Sequence, residues 1–486
     1  MKRIHLPIKV DATSNGEFAP APVSPLLTRA KQHAVALLTD NARRVGLSRR
    51  DFLTSLCGAA TTLLTFNAAN ASIGNTGGRY DLHRDAGLDV DLAAQTLGGD
   101  DFIFDIQTHL IDPAGSWRSS RVRAGLEGFL KRAPQGSCGE DDPVVCFDAE
   151  HYFKEVFLDS DTDVAVLSFV PLPAKINPTT PSEVSQVRDL VAGLEGSKRL
   201  LLHSLVLPNQ PPYKQQLESM EQAAAEWDIA AWKVYTQWGP DGVGWALDDP
   251  QIGIPFIEKA RELGIKNICI HKGFPLPGLS PKFTTAEDVG RVAKMYPDVN
   301  FLIYHSGFEM GRREGPYDPQ DAERGVSALV KSLQDNEVAP NQNVYAELGS
   351  TWRFAMRDPT AAAHVLGKLL RYVGQDRVVW GTDSIWYGSP QDQILAFRAF
   401  QIAPELQERH GYPALTPALK RKVFGINASG AYGIDPQAFR REAKNDVVGR
   451  ARTAYARTPN PSFQTYGPST PREFLALLKQ RGGRPD

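Results

Sequence analysis

The amino-acid sequence predicts a closed (β/α)8 barrel, a TIM barrel, carrying an N-terminal signal segment and a C-terminal extension. Three observations predict it. From about residue 100 to residue 383, eight short apolar runs alternate with helix-like patterns, the signature of βα units and a parallel sheet. Several runs are apolar along their length, as strands covered on both faces should be. No Gly-rich nucleotide loop follows any run, which weakens the competing doubly wound open sheet.

The elements follow in chain order. Residues 48–53 read SRRDFL and run into the apolar stretch LTSLCGAATTLLTF and then AANAS, with Ala69 and Ala71 at the spacing a signal peptidase needs. A basic pair, a short apolar core and an A-x-A end make an export signal over residues 1–71. Arg49 and Arg50 ahead of Phe52 and Leu53 give it twin-arginine form, which carries folded proteins across the bacterial inner membrane. The reading implies the twin-arginine export machinery as a partner, and a periplasmic or secreted protein. An ordinary buried helix over 53–66 is the alternative, and the long stretch ahead of Ser48 leaves a downstream start open. Without residues 1–71 the chain carries 45 basic and 52 acidic residues, a net of −7 that suits a soluble protein.

Residues 72–100 read as a linker and 101–435 as the barrel. The eight runs are DFIFDIQ, DVAVLSFV, RLLLHSLVL, IAAWKVYT, NICIHKG, VNFLIYHS, NVYAELGS and RVVWGTD. Between them, IPFIEKARELG shows helical spacing with a Gly stop, and TTAEDVGRVAKMYP predicts a helix from a Thr cap to Pro297. Residues 436–486 change texture: 440–468 is a polar arm with several Pro and Ser. TPREFLALLKQ then predicts a final helix, with Thr470 as N-cap, Pro471 in the first turn and Glu473 completing a capping box.

Composition narrows the function. A net charge of −2 over 486 residues offers no basic footprint for nucleic acid. Beyond the N-terminal segment no run is apolar for long enough to anchor the chain in a bilayer. Four cysteines make no disulfide scaffold and no zinc-ribbon spacing. Cys138 and Cys146, in CGEDDPVVC, read almost equally as a short-loop disulfide and as two free thiols, while Cys269 on an apolar run reads as packing.

In such barrels the chemistry collects at the carboxyl ends of the strands. The first run ends at Gln107 and His109, the fourth carries Lys233, the fifth ends at His271, the sixth at His305, the seventh carries Glu347 and the eighth ends at Asp383. One histidine at a strand end is ordinary structure. Several polar groups at matching places on one ring are costly to bury unless something pairs with them, and a metal ion is the simplest partner. Trp232, Trp238, Trp352, Arg353, Trp386 and Tyr387 lie near the same ends and are candidates to wall a pocket for a small aromatic or carboxylated substrate, with Arg353 and Trp386 touching it.

The stretches DDPQIGIPFIEKARELGIKNICIHKG, MYPDVNFLIYHSG, RVVWGTDSIWYGSP and VFGINASGAYGI together resemble the amidohydrolase superfamily, in particular the branch of metal-dependent hydrolases that includes aminocarboxymuconate-semialdehyde decarboxylase. The resemblance runs from about 101 to 435. It implies one divalent ion, zinc first and Mn or Fe next, held by a histidine pair on the first strand, a histidine on the fifth and an aspartate on the eighth. Carried over, His109, His271 and Asp383 match the ligands, and His305 matches the residue beside the ion. Gln107 departs from the pattern. Three protein ligands still suffice for catalytic zinc, and Gln107 would add an amide oxygen or bond a bound water. With the pair broken, Lys233 is expected to stay an ammonium facing a carboxylate, either the substrate's or that of Glu347.

The resemblance implies an enzyme acting on a small molecule. The first expectation is hydrolysis of an amide, lactone or ester of a carboxylated acid, with Asp383 as general base, His305 steadying the oxyanion, and Lys233 with Glu347 at the substrate. Non-oxidative decarboxylation of an aromatic or enoic acid is the second, and a metal-free ligand-binding barrel the third. A homodimer is left open.

Overall fold

The structure, a computed structural model, describes residues 6–10, 24–120, 123–132, 138, 140–173, 177, 199–275, 279–443, 445–461 and positions 472, 475, 476 and 479. Its strands are β1 (Gly78–Tyr80), β2 (Phe104–Thr108), β3 (Val164–Leu167), β4 (Leu200–Leu205), β5 (Ile229–Tyr235), β6 (Asn267–His271), β7 (Asn300–Tyr304), β8 (Val344–Glu347), β9 (Val378–Val379) and β10 (Phe400–Ile402). Strands β2 to β9 form one sheet of eight in chain order, each parallel to the next; all fall inside the runs read from the sequence except β2, which continues one residue further to Thr108. The ends of the sheet meet. Ile106 N donates to Trp380 O at 3.1 Å, Asp383 N to Gln107 O at 2.9 Å and His109 N to Ser384 O at 2.6 Å, so the ring is a (β/α)8 barrel.

Period-two alternation sets which side chains point inward. Phe104, Ile106, Val164, Val166, Ala231, Cys269, Leu302, Tyr304, Tyr345 and Val379 come from seven strands yet pack as one cluster, which only the inside of the ring allows. Two residues further along β5, β6 and β8, the same face presents Lys233, His271 and Glu347. Asp105 clamps the closing seam: its carboxylate accepts from Thr382 N at 3.0 Å and from Thr382 Oγ1. Burial pushes the Asp105 carboxyl up to about 7 against the pull of these hydrogen bonds.

The layer outside the barrel departs from expectation in places. The helix read from Thr284 begins only at Val289 and ends at Met295. Asp288, just ahead of it, makes no cap, because its carboxylate accepts from Leu247 N and from Lys272 Nζ, both at 2.9 Å. GIPFIEKARE is helical as read, over Gly253–Glu262. Trp232 and Trp352 are core residues, not pocket walls: their indole N–H groups donate to Ile265 O at 3.0 Å and Gln393 O at 2.9 Å. The linker stretch carries β1, paired antiparallel with β10, and the helix Val90–Leu97 capped by Asp89. In the C-terminal arm, helices Pro436–Ala443 and Val447–Tyr455 dock through the Arg199–Asp446 ion pair at 2.6 Å. The capping box at Thr470 and Glu473 lies outside the described residues.

Residues of the export-signal reading fold here as helices Pro25–Arg44, Arg49–Leu53 and Leu56–Ala71. Phe52, Leu63 and Phe66 enter the main apolar core with Tyr80, Ala93 and Leu97. Asn41 Nδ2 ties the first and third helices by donating to Thr61 Oγ1 at 3.1 Å. No helix of the described residues is long and apolar enough to cross a membrane. Each large apolar side chain in this layer contributes about 1.5–3 kcal/mol by burial. A chain beginning at residue 72 should therefore unfold at least about 5 °C below the full chain in calorimetry. Equal melting temperatures would show that this layer adds no stability.

Candidate active site

At the carboxyl ends of the strands the backbone turns sharply. Phe274, His305, Ser306, Ser350 and Asp383 have φ values of 43, 65, 52, 54 and 61°, in the left-handed region that non-glycine residues rarely adopt. They are five of the eight such residues among those described, and each costs about 1–3 kcal/mol. Strain gathered at one end of a barrel needs a purpose. Here it turns polar side chains back over the mouth.

Those side chains form one hydrogen-bonded chain. Asp383 Oδ1 accepts from Gln107 Nε2 at 2.8 Å and from His109 Nε2 at 3.0 Å, while Oδ2 accepts from Ser350 Oγ at 2.6 Å. Gln107 Nε2 also lies 3.4 Å from His305 Nε2. His305 Nδ1 donates to Gly349 O at 2.7 Å, which leaves Nε2 facing the site. His271 joins through its ring, 4.4 Å from that of His305. Asp383 keeps 8 % exposure where Gln107, His109 and His305 keep 2 % or less, so it is the most open to solvent of these four. Burial alone would raise its carboxyl, but the bond from His109, the charges of His305 and His109 and the bond from Ser350 hold it well below the usual carboxylate range. Burial, opposed only in part by Asp383, lowers His305 to about 4.

Beneath this chain lie two buried ionisable groups. Lys233 is fully buried, its Nζ has no hydrogen-bond partner, and it sits 3.7 Å from the centre of the Tyr304 ring and 4.9 Å from that of Tyr235. Among the described residues no carboxylate oxygen lies within 4.0 Å of it, so the ion pair with Glu347 is not formed. Glu347 is held by the backbone, accepting from His305 N at 2.9 Å and Gly349 N at 2.5 Å. Glycines make its space: a Cβ on Gly381 would stand 1.6 Å from Glu347 Oε1, and one on Gly349 would stand 2.2 Å from Gln107 Oε1. Burial lowers Lys233 to about 8 and raises Glu347 to about 8.

Aromatic rings rim the mouth. Trp386 stacks on His109 at 5.0 Å, Phe274 lies 5.2 Å from both His305 and Phe354, and Phe354 lies 5.9 Å from Tyr387, whose hydroxyl is 2.8 Å from Ser350 Oγ. Arg353 is one layer behind, donating to Lys9 O with its guanidinium 5.7 Å from the Tyr387 ring. Ser350, Phe274 and Phe354 were not singled out from the sequence. Only the GS pair that closes the seventh run and the GF pair at the end of the fifth hinted at the first two.

The profile of the amidohydrolase family matches residues 105–434. The chain belongs to the amidohydrolase family.

No curated protein matches this amidohydrolase. Among solved structures, it is similar to 5-carboxyvanillate decarboxylase from Sphingomonas paucimobilis, at 14 % identity and a TM-score of 0.44, over 69 % of this chain and 99 % of that one. It is also similar to 2,6-dihydroxybenzoate decarboxylase from Rhizobium (13 % identity, TM-score 0.40, 68 % of this chain and 99 % of that one). A third is 4-oxalomesaconate hydratase from Rhodopseudomonas palustris, with 18 % identity and a TM-score of 0.41 over 71 % and 98 % of the two chains. Identity this low passes none of their chemistry to this amidohydrolase.

The donor chemistry at the mouth fits a divalent ion. His271 Nε2 is taken by Phe274 O at 3.2 Å, leaving a buried Nδ1 without a hydrogen-bond partner; His109 Nδ1 and Gln107 Oε1 are unpartnered too. A backbone carbonyl on the far ring nitrogen is the support a ligating histidine takes. The spacing is that of a hydrogen-bonded group, however. Among the described residues, the one trio of His, Cys, Asp or Glu donors within 4.8 Å of one another is Cys138, Glu140 and His151. The Gln107 amide stands between Asp383 and His305, and half a turn about its last bond would present oxygen instead of N–H. Gln107→His should therefore raise the divalent metal bound per chain at least about two-fold over the parent, measured by elemental analysis of protein purified without chelators. An unchanged content would show that Gln107 does not limit the ion.

Proposed function

We propose that this amidohydrolase removes CO2 without oxidation from a small aromatic or enoic acid, with a divalent ion as cofactor. One observation carries the reading: a fully buried ammonium, Lys233, without a hydrogen-bond partner, beneath a mouth rimmed by aromatic rings. An unpaired buried cation calls for an anion, and the rim suits a planar apolar body. Lys233 takes an acidic group of the substrate. Trp386, Phe274 and Phe354 hold the ring and exclude water.

Loss of CO2 leaves an electron pair on carbon, which takes up one proton. Protonating such a carbon asks for a strong acid. His305 Nε2 is a weak base here, so it is a strong donor once it carries a proton. His109 and Ser350 fix the Asp383 carboxylate in place. His109, His271 and Asp383 are the residues that would hold a divalent ion, and such an ion would supply Lewis acidity toward substrate oxygens. Hydrolysis asks Asp383 to accept a proton from water. Both of its oxygens are already engaged, which supports that reading less well. The twin-arginine form of residues 48–53 supports export of the folded enzyme to the periplasm.

A panel of hydroxybenzoates and unsaturated dicarboxylic acids, assayed for released CO2, tests the reaction. Turnover of amides or lactones without CO2 would replace it with hydrolysis. Asp383→Asn should cut kcat at least about 100-fold while leaving circular dichroism unchanged. Lys233 is charged below about 8, and Glu347 becomes an anion above about 8, so both shifts disfavour an anionic substrate on the alkaline side. kcat/KM should accordingly fall as pH rises through 8. Lys233→Met should raise KM and flatten that limb, whereas a limb that survives in both Lys233→Met and Glu347→Gln would place the titration elsewhere.

A further inference from the structure

A second donor group stands in the loop between β2 and β3, away from the strand-end chain. Cys138 and Cys146 form a disulfide with Cα atoms 5.7 Å apart. His151 Nε2 lies 3.5 Å from Cys138 Sγ and 3.8 Å from Glu140 Oε1. On its other side, His151 Nδ1 lies 3.0 Å from Asp148 Oδ1, and the same oxygen accepts from His151 N at 2.9 Å, capping the turn Ala149–Tyr152. A carboxylate there holds the proton on Nδ1 and leaves the Nε2 lone pair facing sulfur and Glu140, the outer support a metal-bound histidine uses.

We propose that this loop is a redox-gated metal site: with the disulfide reduced, the thiolates of Cys138 and Cys146, His151 Nε2 and Glu140 bind one zinc-like divalent ion. An external thiol pair supplies two electrons and two protons to the S–S bond and leaves as its own disulfide. The ion then displaces the two thiol protons to water. Two sulfurs about 2.3 Å from one tetrahedral zinc are within reach of side chains whose Cα atoms are 5.7 Å apart. Thiolates select zinc over manganese or magnesium, a preference that the sulfur-free mouth does not share. His151 and Glu140 keep 20 % and 48 % of their side chains exposed, which gives the ion an entry path. The oxidised sulfurs offer no thiolate, so the disulfide closes the site. The loop is also close to the reaction centre. Phe147, next to Cys146, lies 5.7 Å from Trp386, which stacks on His109.

The test uses the full chain, stripped of metal, either oxidised or reduced with dithiothreitol and desalted under nitrogen. Zinc titration should show one more equivalent bound in the reduced than in the oxidised protein. Cobalt(II) should give a thiolate charge-transfer band in the reduced protein alone. Cys138→Ser with Cys146→Ser should abolish the extra equivalent, and His151→Ala should weaken it at least about ten-fold. A His109→Ala variant, which removes a donor of the mouth and none of the four loop ligands, should keep it. The proposal is overturned if reduced parent and double-serine variant bind the same amount, if oxidised protein binds equally, or if cobalt shows no thiolate band.

Discussion

The seam between β2 and the segment after β9 is the contact on which the rest of the molecule depends. Three backbone hydrogen bonds and the Asp105–Thr382 clamp join residues about 276 positions apart in the chain. Each of the other barrel strands only extends a sheet by one neighbour. This seam turns the sheet into a ring, and only in a ring do Gln107 and His109 stand against Asp383. The entropy of closing so long a loop rises only slowly with its length, so a handful of buried bonds at the seam, backed by the packed interior, can hold it.

The ring creates an electrostatic problem at its mouth. Lys233, Glu347, Asp383 and three imidazoles share one poorly solvated space, where an unmatched polar group costs about 1–3 kcal/mol. Part of the problem is answered internally: Glu347 is met by two backbone N–H groups, and Asp383 by Gln107, His109 and Ser350. What is left unanswered is specific. Lys233 Nζ, His271 Nδ1 and His109 Nδ1 have no partner, and these are the groups an anionic substrate and a cation would satisfy. Gln107 changes the balance of that set. Its amide supplies hydrogen to Asp383, so an ion at Asp383 would compete with that hydrogen bond.

Much of the site was legible because a strand end is a local feature. HKG, YHSG and WGTD place a titratable side chain at or just past the carboxyl end of a strand, and the structure brings His271, His305 and Asp383 to one mouth. Arg353 shows where such reading stops. Its position after β8 predicted a substrate contact, yet its guanidinium meets the carbonyl of Lys9, which no local pattern connects to it. Ser350 and Phe274 are similar: their part comes from left-handed backbone turns that only the packed loop imposes. The open choice at Cys138 and Cys146 was equally out of reach, because pairing depends on how the loop folds back.

The sequence by itself determined the eight strands, their parallel order and which residues crown them, since period-two alternation and apolar runs are written into the local chain. Tertiary structure alone decided that Gln107 bonds Asp383 instead of leaving it free, that Lys233 and Glu347 stay apart, and that residues 25–71 pack into the core. Each of these depends on distances between segments far apart in sequence, and such distances exist only once the ring has closed and the layers around it have packed.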